Sequence, residues 1–510
     1  MAVAPAYQTP ADALRDLSLR TQAFIDGRYV DSASGRTFEC ISPCDGSQLG
    51  SIAACDAVDV DRAVAAARRA FESRVWASAA PRERKRILLR FAELIEANLD
   101  ELALLETIDM GKPITNSRTS DVPGAVRCIA YYAEAVDKIY DEIAPTANTD
   151  LVLLRREPLG VVGAIIPWNF PLLMAAWKLG PALAAGNSVI LKPAEQSPLS
   201  ALRIAELGSE AGLPDGVLQV IPGFGETAGR AIGMHSDVDM VTFTGSTEVG
   251  KLLLQYAGLS NMKRTALECG GKSPHIITRD CADLDGAAHA AAWGIFYNQG
   301  EVCNAGSRLL VDEAIAPEFL QKVVDISSAI TPGNPLDPKT EMGALVDRQQ
   351  MNRVLSYIET GVREGATVTL GGHARLEELG GYYVEPTIFG DVKNHMTIAQ
   401  EEIFGPVLTT IPFSDLAHAI AIANETIYGL AAAIWTDDVN VAHKAARDIR
   451  AGVVWINTFD SGDISSPFGG FKQSGYGRDK SLHALDKYTD WKAIWLRLRE
   501  GPANPERSAK

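Results

Sequence analysis

The sequence predicts an α/β protein whose sheets are parallel and covered by helices on both faces. Short apolar stretches, such as Val161–Ile166 and Ser188–Leu191, alternate with stretches of helical periodicity such as Pro198–Ala211. Strands that are apolar throughout are typical of sheets buried on both faces. A second series of the same kind follows residue 268, which indicates a second α/β unit.

The first third of the chain is predicted to be mostly helical. Residues 1–20 are expected to form a loose leader, and an Asp-Gly pair within Phe24–Val30 predicts a hairpin. Apolar residues fall at helical spacing from residue 56 to about residue 112. Residues 122–140 are expected to form another helix, and residues 151–157 a strand.

The rest of the chain alternates between strands and helices. Residues 226–234 are predicted to be helical, and the final stretch 488–497 alternates apolar and polar side chains. That stretch is expected to be an edge strand that pairs with residues 151–157 or with another subunit. The remaining predicted strands lie near residues 217–221, 240–243, 275–278, 309–311, 407–412, 432–435 and 453–456.

Composition excludes several classes of protein. The chain has 510 residues, which indicates about three domains, and its net charge of −16 disfavours nucleic acid and anionic membranes as partners. Seven cysteines without a CxxC pair indicate reduced thiols in a cytoplasmic protein and no metal site. The N-terminus has no signal-peptide pattern, and no apolar stretch is long enough to span a membrane.

Cys303 is the most informative residue. It lies in the small-residue segment Gly300–Arg308, directly after an apolar stretch with helical character. A cysteine in such a turn can be an inert filler or a nucleophile. The choice decides whether the chain is an enzyme.

Two glycine-rich turns follow predicted strands and open predicted helices, at Gly223–Gly229 and Phe243–Gly250. Such turns can bind phosphate, although neither matches GxGxxG and both could be simple tight turns. Lys192 and Glu195 follow another buried strand. The carboxylate there could accept hydrogen bonds from ribose hydroxyls and would repel a 2′-phosphate, or the two could be a solvated pair.

Asn169 and Glu268 are the candidate partners of the cysteine. The Asn169 amide, between two prolines, could donate to an oxyanion or could be a turn residue. Glu268 lies where an apolar strand meets two glycines. A buried carboxylate there could act as a general base, or it could be salt-bridged at a strand end.

Taken together, these motifs resemble the aldehyde dehydrogenase superfamily over about residues 22–497. Glu402–Pro406 and Pro467–Lys472 complete the set in the same order. Within that superfamily, the chain most resembles the branch of γ-glutamyl-aminobutyraldehyde and 4-guanidinobutyraldehyde dehydrogenases. The segments that carry this resemblance are Ser260–Arg264, Ile295–Cys303 and Gly477–Leu485. That branch usually has alanine where this chain has Cys269, so a second thiol lies beside the expected base.

The resemblance implies an aldehyde dehydrogenase-like fold with three parts. A Rossmann-type parallel-sheet domain that binds NAD is expected at 1–144 and 158–266, and an α/β catalytic domain at 267–483. A small β oligomerisation element is expected at 145–157 and 484–500. The resemblance also implies a homotetramer, with a dimer as the alternative.

The implied chemistry is NAD-dependent oxidation of an aldehyde to an acid, in polyamine catabolism. Cys303 would attack the aldehyde, and the Asn169 amide with the Cys303 backbone N–H would hold the oxyanion. After hydride transfer to NAD, Glu268 would activate water to release the acid from a Cys303 thioester. Lys178 and Asp479 match positions of a lysine and an acidic proton-relay group near that glutamate.

The resemblance also implies the binding residues. Cofactor contacts are expected from Ile166, Pro167, Trp168, Asn169, Lys192, Ala194, Glu195, Gly225, Gly229, Phe243, Gly245, Ser246, Val249, Leu267, Glu402 and Phe404, with NAD preferred over NADP. Substrate contacts are expected from Phe170, Met174, Trp177, Tyr297, Val302, Asn304, Phe459, Asp460, Asp463 and Phe468. Asp463 and Asp460 are hypothesised to attract the amino or guanidino end of the aldehyde, or to be solvated loop carboxylates.

Other functions stay open at this point. The substrate could instead be a broad range of aliphatic or aromatic aldehydes. A CoA-acylating enzyme is disfavoured because it has no need of a water-activating base. A nucleotide-binding structural protein is disfavoured by the complete set of Cys303, Glu268 and Asn169.

Overall fold

The computed structural model describes residues 7–499. Residues 1–6 of the predicted leader and residue 500 of the predicted oligomerisation element lie outside this range. The expectation of a loose leader is wrong for its middle part, because Pro10–Leu14 is a helix. The Thr9 side chain accepts the backbone N–H of Asp12, and the Ala13 side chain is fully buried.

The first sheet has eight strands, of which the central five are parallel. Alternate strand residues face two different cores, since Val162 belongs to one buried cluster and Val161 to the other. Helices therefore cover both faces, as predicted. In spatial order the strands are Arg28–Val30, Ala23–Ile25, Leu218–Val220, Ser188–Lys192, Val161–Ile165, Met240–Thr244, Arg264–Glu268 and Gly475–Tyr476.

Most helices of this half of the chain agree with the predicted helical stretches, whereas Pro171–Ala185 was not predicted. The stretch predicted at 226–234 begins as a π-helical turn, Gly225–Gly229, before Arg230–Met234. A second π-helical turn, Ser117–Asp121, was not expected. The other helices are Ala57–Glu72, Pro81–Ala97, Leu99–Met110, Ile114–Asn116, Val122–Ala135, Pro171–Ala185, Leu199–Ala211 and Thr247–Leu259.

The second sheet has seven strands and is parallel except at one edge. Its helices are Leu284–Phe296, Ala316–Ala329, Arg348–Arg363, Thr397–Gln400, Leu416–Asn424 and Val439–Asp448. The sequence does not predict the first two strands of this sheet, which are short and lie at or next to its edge. In spatial order the strands are Thr367–Leu370, Thr387–Gly390, Val407–Phe413, Arg308–Asp312, Pro274–Ile277, Ala431–Trp435 and Val453–Ile456.

A separate antiparallel sheet holds the C-terminal strand. Thr489–Arg497 pairs with Asp150–Pro158 along its whole length, and Glu142–Ala144 pairs with the other side of Asp150–Pro158. The predicted pairing of these two segments is confirmed. Two small hairpins, Thr37–Ile41 with Gln48–Ala53 and Ala374–Arg375 with Tyr383–Val384, were not predicted. The predicted domain boundaries stay predictions.

Two buried carboxylates on one helix hold the start of two others. Glu106 and Asp109 lie on Leu99–Met110 and are fully buried. Glu106 accepts the backbone N–H of Leu172 at 2.5 Å, and Asp109 accepts that of Leu199 at 3.0 Å. Neither recipient helix has a cap from its own N-cap side chain. These carboxylates therefore satisfy N–H groups that a helix start leaves unpaired.

Within residues 7–499, no helix is long and apolar enough to cross a membrane.

Candidate active site

One cavity of about 510 Å³ collects most of the predicted site residues. Its wall is built by loops that follow strands of both sheets and by residues of the helices Val122–Ala135, Pro171–Ala185, Thr247–Leu259 and Arg348–Arg363. The predicted residues that line it are Pro167, Trp168, Asn169, Phe170, Met174, Trp177, Gly245, Ser246, Glu268, Tyr297, Val302, Cys303, Asn304, Glu402, Phe404, Asp460, Asp463 and Phe468.

Cys303 reaches the cavity from a turn with unusual backbone angles. Asn298 and Gln299 both have positive φ, at 48° and 55°, in the turn that follows Leu284–Phe296. This conformation costs on the order of 1–3 kcal/mol for each non-glycine residue, so neighbouring contacts must hold it. Gln299 supplies such contacts, because its side chain donates to the carbonyl of Ala344 and accepts the N–H of Gly343.

The surroundings of Cys303 disfavour its thiolate. Cys303 is partly exposed, whereas the six other cysteines are buried. Burial raises the pKa of the Cys303 thiol, and the carboxylates of Glu402, Asp460 and Glu268 raise it further. Of the two activators that a catalytic cysteine can use, a positive environment or a base, these surroundings favour a base.

Asn169 is fixed by the segment that carries the cysteine. It is buried, and its side-chain N–H₂ donates to the carbonyl of Glu301 at 2.9 Å. The Asn298 side chain donates in turn to the carbonyls of Asn169 and Glu301, both at 3.2 Å. A primary amide has two N–H donors, so one orients Asn169 and the other is left for a ligand in the cavity.

Glu268 ends the strand Arg264–Glu268 and is buried at the cavity wall. Neither of its carboxylate oxygens has a hydrogen-bond partner within residues 7–499. Burial, and then the charge of Asp479, raise the pKa of Glu268 well above its usual range. A carboxylate in this state can take a proton near neutral pH, which suits a general base.

Lys178 and Asp479 lie behind the cavity wall and not in it. Both are fully buried, and Asp479 accepts hydrogen bonds from Lys178 and from Lys487. Burial acts to raise the pKa of Asp479, but the two lysines outweigh it and the pKa is lowered. Asp479 is therefore an anion that repels charge on Glu268. The sequence did not point to Lys487, which carries no recognisable motif.

A helix start faces the cavity beside Glu268. Ser246 caps Thr247–Leu259 by accepting the N–H of Val249 at 3.2 Å. Gly245 and Ser246 line the cavity together with the first residues of this helix, which puts free N–H donors and the positive end of the helix dipole at the wall. This arrangement suits a phosphate group.

At the carboxyl end of another strand of the first sheet, Lys192 and Glu195 form an ion pair with a distance of 3.2 Å. Lys192 is buried and also donates to the carbonyl of Pro193, while Glu195 is partly exposed. A Cβ atom built on Gly225 would have no neighbouring atom within 4 Å, so the first turn after Leu218–Val220 borders open space. These residues fit the ribose and phosphates of a dinucleotide.

Several predicted cofactor residues do not line the cavity itself. They lie at or near the carboxyl ends of the parallel strands, where open α/β sheets bind ligands. Most of them are buried, whereas 41% of Val249 is exposed. These residues are Ile166, Lys192, Ala194, Glu195, Gly225, Gly229, Phe243, Val249 and Leu267.

Glu402 brings a third carboxylate to the cavity. It accepts the N–H of Gly271 at 3.1 Å, and burial raises its pKa to about 7. A Cβ atom on Gly270 would lie 2.0 Å from the Glu402 carboxylate, so this approach requires glycine. Phe404 packs edge-on against Trp168 at 5.1 Å. Together they form a polar and an aromatic wall suited to a nicotinamide ribose and its ring.

The predicted substrate residues form aromatic and acidic walls. Phe170 stacks on Tyr297 at 6.4 Å, and Trp177 packs edge-on against Phe468 at 5.3 Å. Asn304 donates to Asp460 at 2.6 Å.

Phe459 is the predicted substrate residue that the structure does not bring to the cavity. Its ring stacks on His275 at 4.8 Å and packs beside Gly294 and Gly306. Phe459 therefore supports the wall from behind.

The cavity also has lining residues that the sequence did not indicate. They come from helices and loops without a local chemical pattern, so only the tertiary structure brings them to the site. Those with polar or aromatic side chains are Ser120, Asp121, Arg127, Gln350, Arg353, Tyr428, Trp455, Ser461, Ser466 and Lys480.

Comparison with known proteins points to one family. A model of the aldehyde dehydrogenase family matches residues 29–494. The chain is 52% identical over 487 residues to the NADP/NAD-dependent aldehyde dehydrogenase PuuC of Escherichia coli, an alignment that covers 96% of this chain and 98% of the relative.

Two solved structures are similar over nearly the whole chain. One is an indole-3-acetaldehyde dehydrogenase in complex with NAD+, with a TM-score of 0.95 and 57% identity over 96% of this chain and 100% of that one. The other is a γ-glutamyl-γ-aminobutyraldehyde dehydrogenase from Burkholderia cenocepacia, with a TM-score of 0.94 and 56% identity over 96% and 100% of the two chains. The predicted fold is thereby confirmed.

The raised pKa of Cys303 can be measured by alkylation. In enzyme without cofactor, we expect the rate of carbamidomethylation by iodoacetamide to keep rising with pH beyond about 8.5, the pKa of a free cysteine, because only the thiolate reacts. Mass spectrometry would assign the modified residue, and Cys303→Ala is the control, since the six other cysteines are buried. A rate that is constant between about pH 6 and 8 would contradict the raised pKa.

Proposed function

The chain belongs to the aldehyde dehydrogenase family and is an NAD- or NADP-dependent aldehyde dehydrogenase, and from this premise we propose how its own residues carry the reaction. The observation that supports the proposal is that Cys303, Asn169 and Glu268 line one cavity. They supply the nucleophile, the oxyanion donor and the base that oxidation of an aldehyde to an acid requires.

The first step is attack by Cys303 on the aldehyde carbon. Its thiol is protonated at neutral pH because its pKa is raised, so a base must take the proton as the sulfur attacks. Glu268 is a base with a raised pKa in the same cavity. The oxyanion that forms is held by the second N–H of the Asn169 amide and by the backbone N–H of Cys303. Losing one such donor costs roughly 10²–10³ in rate.

The second step returns the enzyme to its thiol form. Bound NAD supplies the hydride acceptor, which leaves the acyl group as a thioester on Cys303. Glu268 first releases to solvent the proton that it took from Cys303, and then removes a proton from water as the water oxygen adds to the acyl carbon. The C–S bond breaks to release the acid, and Glu268 returns its proton to the Cys303 sulfur. Burial, and then the charge of Asp479, keep the pKa of Glu268 high, and Lys178 and Lys487 hold Asp479 ionised.

We propose that NAD is preferred over NADP. Glu195 lies beside Lys192, just after the carboxyl end of a central strand of the first sheet, and is partly exposed. Its carboxylate would accept hydrogen bonds from both ribose hydroxyls and would repel a 2′-phosphate. Ser246 and the start of Thr247–Leu259 would hold the pyrophosphate, and Glu402 the nicotinamide ribose.

We propose as substrate an aldehyde with an ω-amino, guanidino or γ-glutamyl-amino end, of the kind formed in polyamine catabolism. Asp460 and Asp463 line the cavity, and their carboxylates would attract a substrate end that carries positive charge. A solved relative is named as a γ-glutamyl-γ-aminobutyraldehyde dehydrogenase. The alternative is broad specificity for aliphatic or aromatic aldehydes, favoured by the aromatic walls and by a relative named for indole-3-acetaldehyde.

We also propose a homotetramer, with a dimer as the alternative, located in the cytoplasm. The three-stranded sheet exposes large apolar side chains, with Trp495 67%, Ile143 69% and Trp491 44% exposed. Exposed apolar patches of this kind mark interaction surfaces. A reducing compartment fits the seven unpaired thiols.

Glu268→Gln removes the base of both chemical steps. We expect the rate of the pre-steady-state NADH burst and the steady-state rate both to fall by roughly 10²–10⁴-fold, because neither Cys303 nor water then loses its proton to Glu268. In the wild type, activity should be lost as the pH falls through the pKa of Glu268, well above its ordinary value of 4.5, because the base works only when deprotonated. The variant should lack this acidic limb. Cys303→Ala, which should show no burst, is the control, and steady-state turnover of Glu268→Gln close to that of the wild type would contradict the role.

Asp463→Asn tests the charge preference of the substrate end. We expect the KM for 4-aminobutyraldehyde to rise about 3-fold relative to that for hexanal, a modest change because Asp463 is exposed to solvent. Glu318→Gln removes the same charge from a helix that does not line the cavity and should leave the ratio unchanged. If hexanal is affected as much as the amine, the hypothesis is wrong.

Trp495→Asp tests the oligomerisation surface. A buried charge at a subunit interface should reduce the molar mass measured by light scattering from that of a tetramer or dimer to a smaller species. Val439→Asp introduces the same charge at a site that is 63% exposed on Val439–Asp448 and outside the three-stranded sheet. An unchanged mass for Trp495→Asp would place the interface elsewhere.

A further inference from the structure

The outer wall of the cavity carries positive as well as negative charges. Lys480 and Arg127 line it together with Asp460 and Asp463. A site built only for an ammonium or guanidinium group would have no use for cations at this position, since like charges repel. Their arrangement therefore bears on which aldehydes the proposed enzyme accepts.

Lys480 is held in place by its two neighbours. It and Ser481 both have positive φ, at 61° and 50°, which is unfavourable for non-glycine residues. Asp479 on one side is bound by two lysines, Lys178 and Lys487. On the other side, the N–H of Ser481 donates to the carbonyl of Ile464 at 2.6 Å, and its carbonyl accepts from Tyr132. The backbone is thus constrained where the Lys480 side chain enters the cavity.

Within residues 7–499, the ammonium group of Lys480 contacts an aromatic ring and leaves its hydrogen-bond donors free. Its Nζ lies 5.6 Å from the centre of the Trp177 ring, and a Cβ atom on Gly462 would be 3.1 Å from it. In residues 7–499 its side chain has neither an ion-pair nor a hydrogen-bond partner. The same is true of Arg127, which is exposed on Val122–Ala135. Two cations therefore face the cavity with their donors free.

The two carboxylates are anchored through one oxygen each. Asp460 accepts the Asn304 amide on Oδ1, and Asp463 accepts the N–H and hydroxyl of Ser465 on Oδ1. Neither makes a direct ion pair with Lys480 or Arg127, so the cations are not simply neutralised by contact. The pKa of Asp463 is lowered by its hydrogen bonds from Ser465 and also by the charges of Lys480 and Arg127. The four groups therefore share one region of the cavity.

We propose that Lys480 and Arg127 form a carboxylate subsite for the far end of the aldehyde substrate. This inference rests on the proposed function and narrows its substrate class to aldehydes whose distal end bears a carboxylate. An α-amino-acid end suits the wall best, because its carboxylate meets Lys480 and Arg127 while its ammonium meets Asp460 and Asp463. A substrate with a distal cation alone satisfies only half of these groups.

A matched pair of substrates isolates the carboxylate. The N-succinyl and N-butyryl amides of 4-aminobutyraldehyde differ only in a terminal carboxylate against a methyl group. We expect wild-type enzyme to prefer the succinyl amide by about 10-fold in kcat/KM, mostly through KM, because charge-assisted hydrogen bonds form to a partly exposed site. The preference should shrink as ionic strength rises, since salt screens exposed charges.

Variants then assign the preference to these residues. Lys480→Met and Arg127→Gln should each lower the succinyl-to-butyryl ratio several-fold, and Lys480→Arg should retain most of it. Lys339→Met removes one positive charge at an exposed site away from the cavity and should keep the wild-type ratio. Arg127 lies on an exposed helix face, so Arg127→Gln tests the proposal even if Lys480→Met disturbs the constrained backbone.

The outcomes separate this proposal from the proposed function. Wild-type enzyme that oxidises hexanal and the butyryl amide without preferring the succinyl amide would overturn the subsite alone. A preference that survives in both Lys480→Met and Arg127→Gln would also overturn it. Absence of NADH formation from all three aldehydes would instead contradict the proposed function.

Discussion

The site depends on the hydrogen bond from the Asn169 amide to the carbonyl of Glu301. Asn169 follows a strand of the first sheet. Glu301 belongs to the loop that carries Cys303 and leads into a strand of the second sheet. The bond therefore fixes the oxyanion donor relative to the nucleophile across the junction of the two sheets. Asn298, which donates to both residues, makes the junction resistant to small shifts. Catalytic groups need such positioning, because small displacements are costly in rate.

A second constraint is the negative charge that faces the cavity. Glu268, Glu402 and Asp460 face the cavity, and burial raises the pKa of each. Their charge also raises the pKa of Cys303, so the nucleophile depends on proton transfer and not on a positive field. Asp479 holds the pKa of Glu268 high from behind the wall. The carboxylates that face the cavity thus disfavour a resting thiolate, whereas burial and Asp479 prepare Glu268 as the base that removes its proton.

Many of the site residues were predictable because they lie at the ends of strands that the sequence pattern locates. Continuous apolar runs locate the parallel strands, and Asn169, Lys192 and Glu268 each lie at or just after one. Lys480 and Arg127 could not be found in this way, since one is in a constrained loop and the other on an ordinary helix. Phe459 shows the opposite limit: its place in the chain implies a substrate contact, but its stacking on His275 turns the ring away from the cavity.

Cys269 illustrates how burial decides the fate of a reactive group. It lines the cavity beside Glu268, yet its side chain packs so closely that a Cβ atom on Gly250 would lie 2.9 Å from its Sγ. Burial, then Glu268 and Glu402, raise its pKa to about 12. Disulfide formation needs a thiolate to attack, and in the resting enzyme both Cys269 and Cys303 are protonated. Burial, together with the charges of Glu268 and Glu402, should therefore also make the two thiols slower to oxidise.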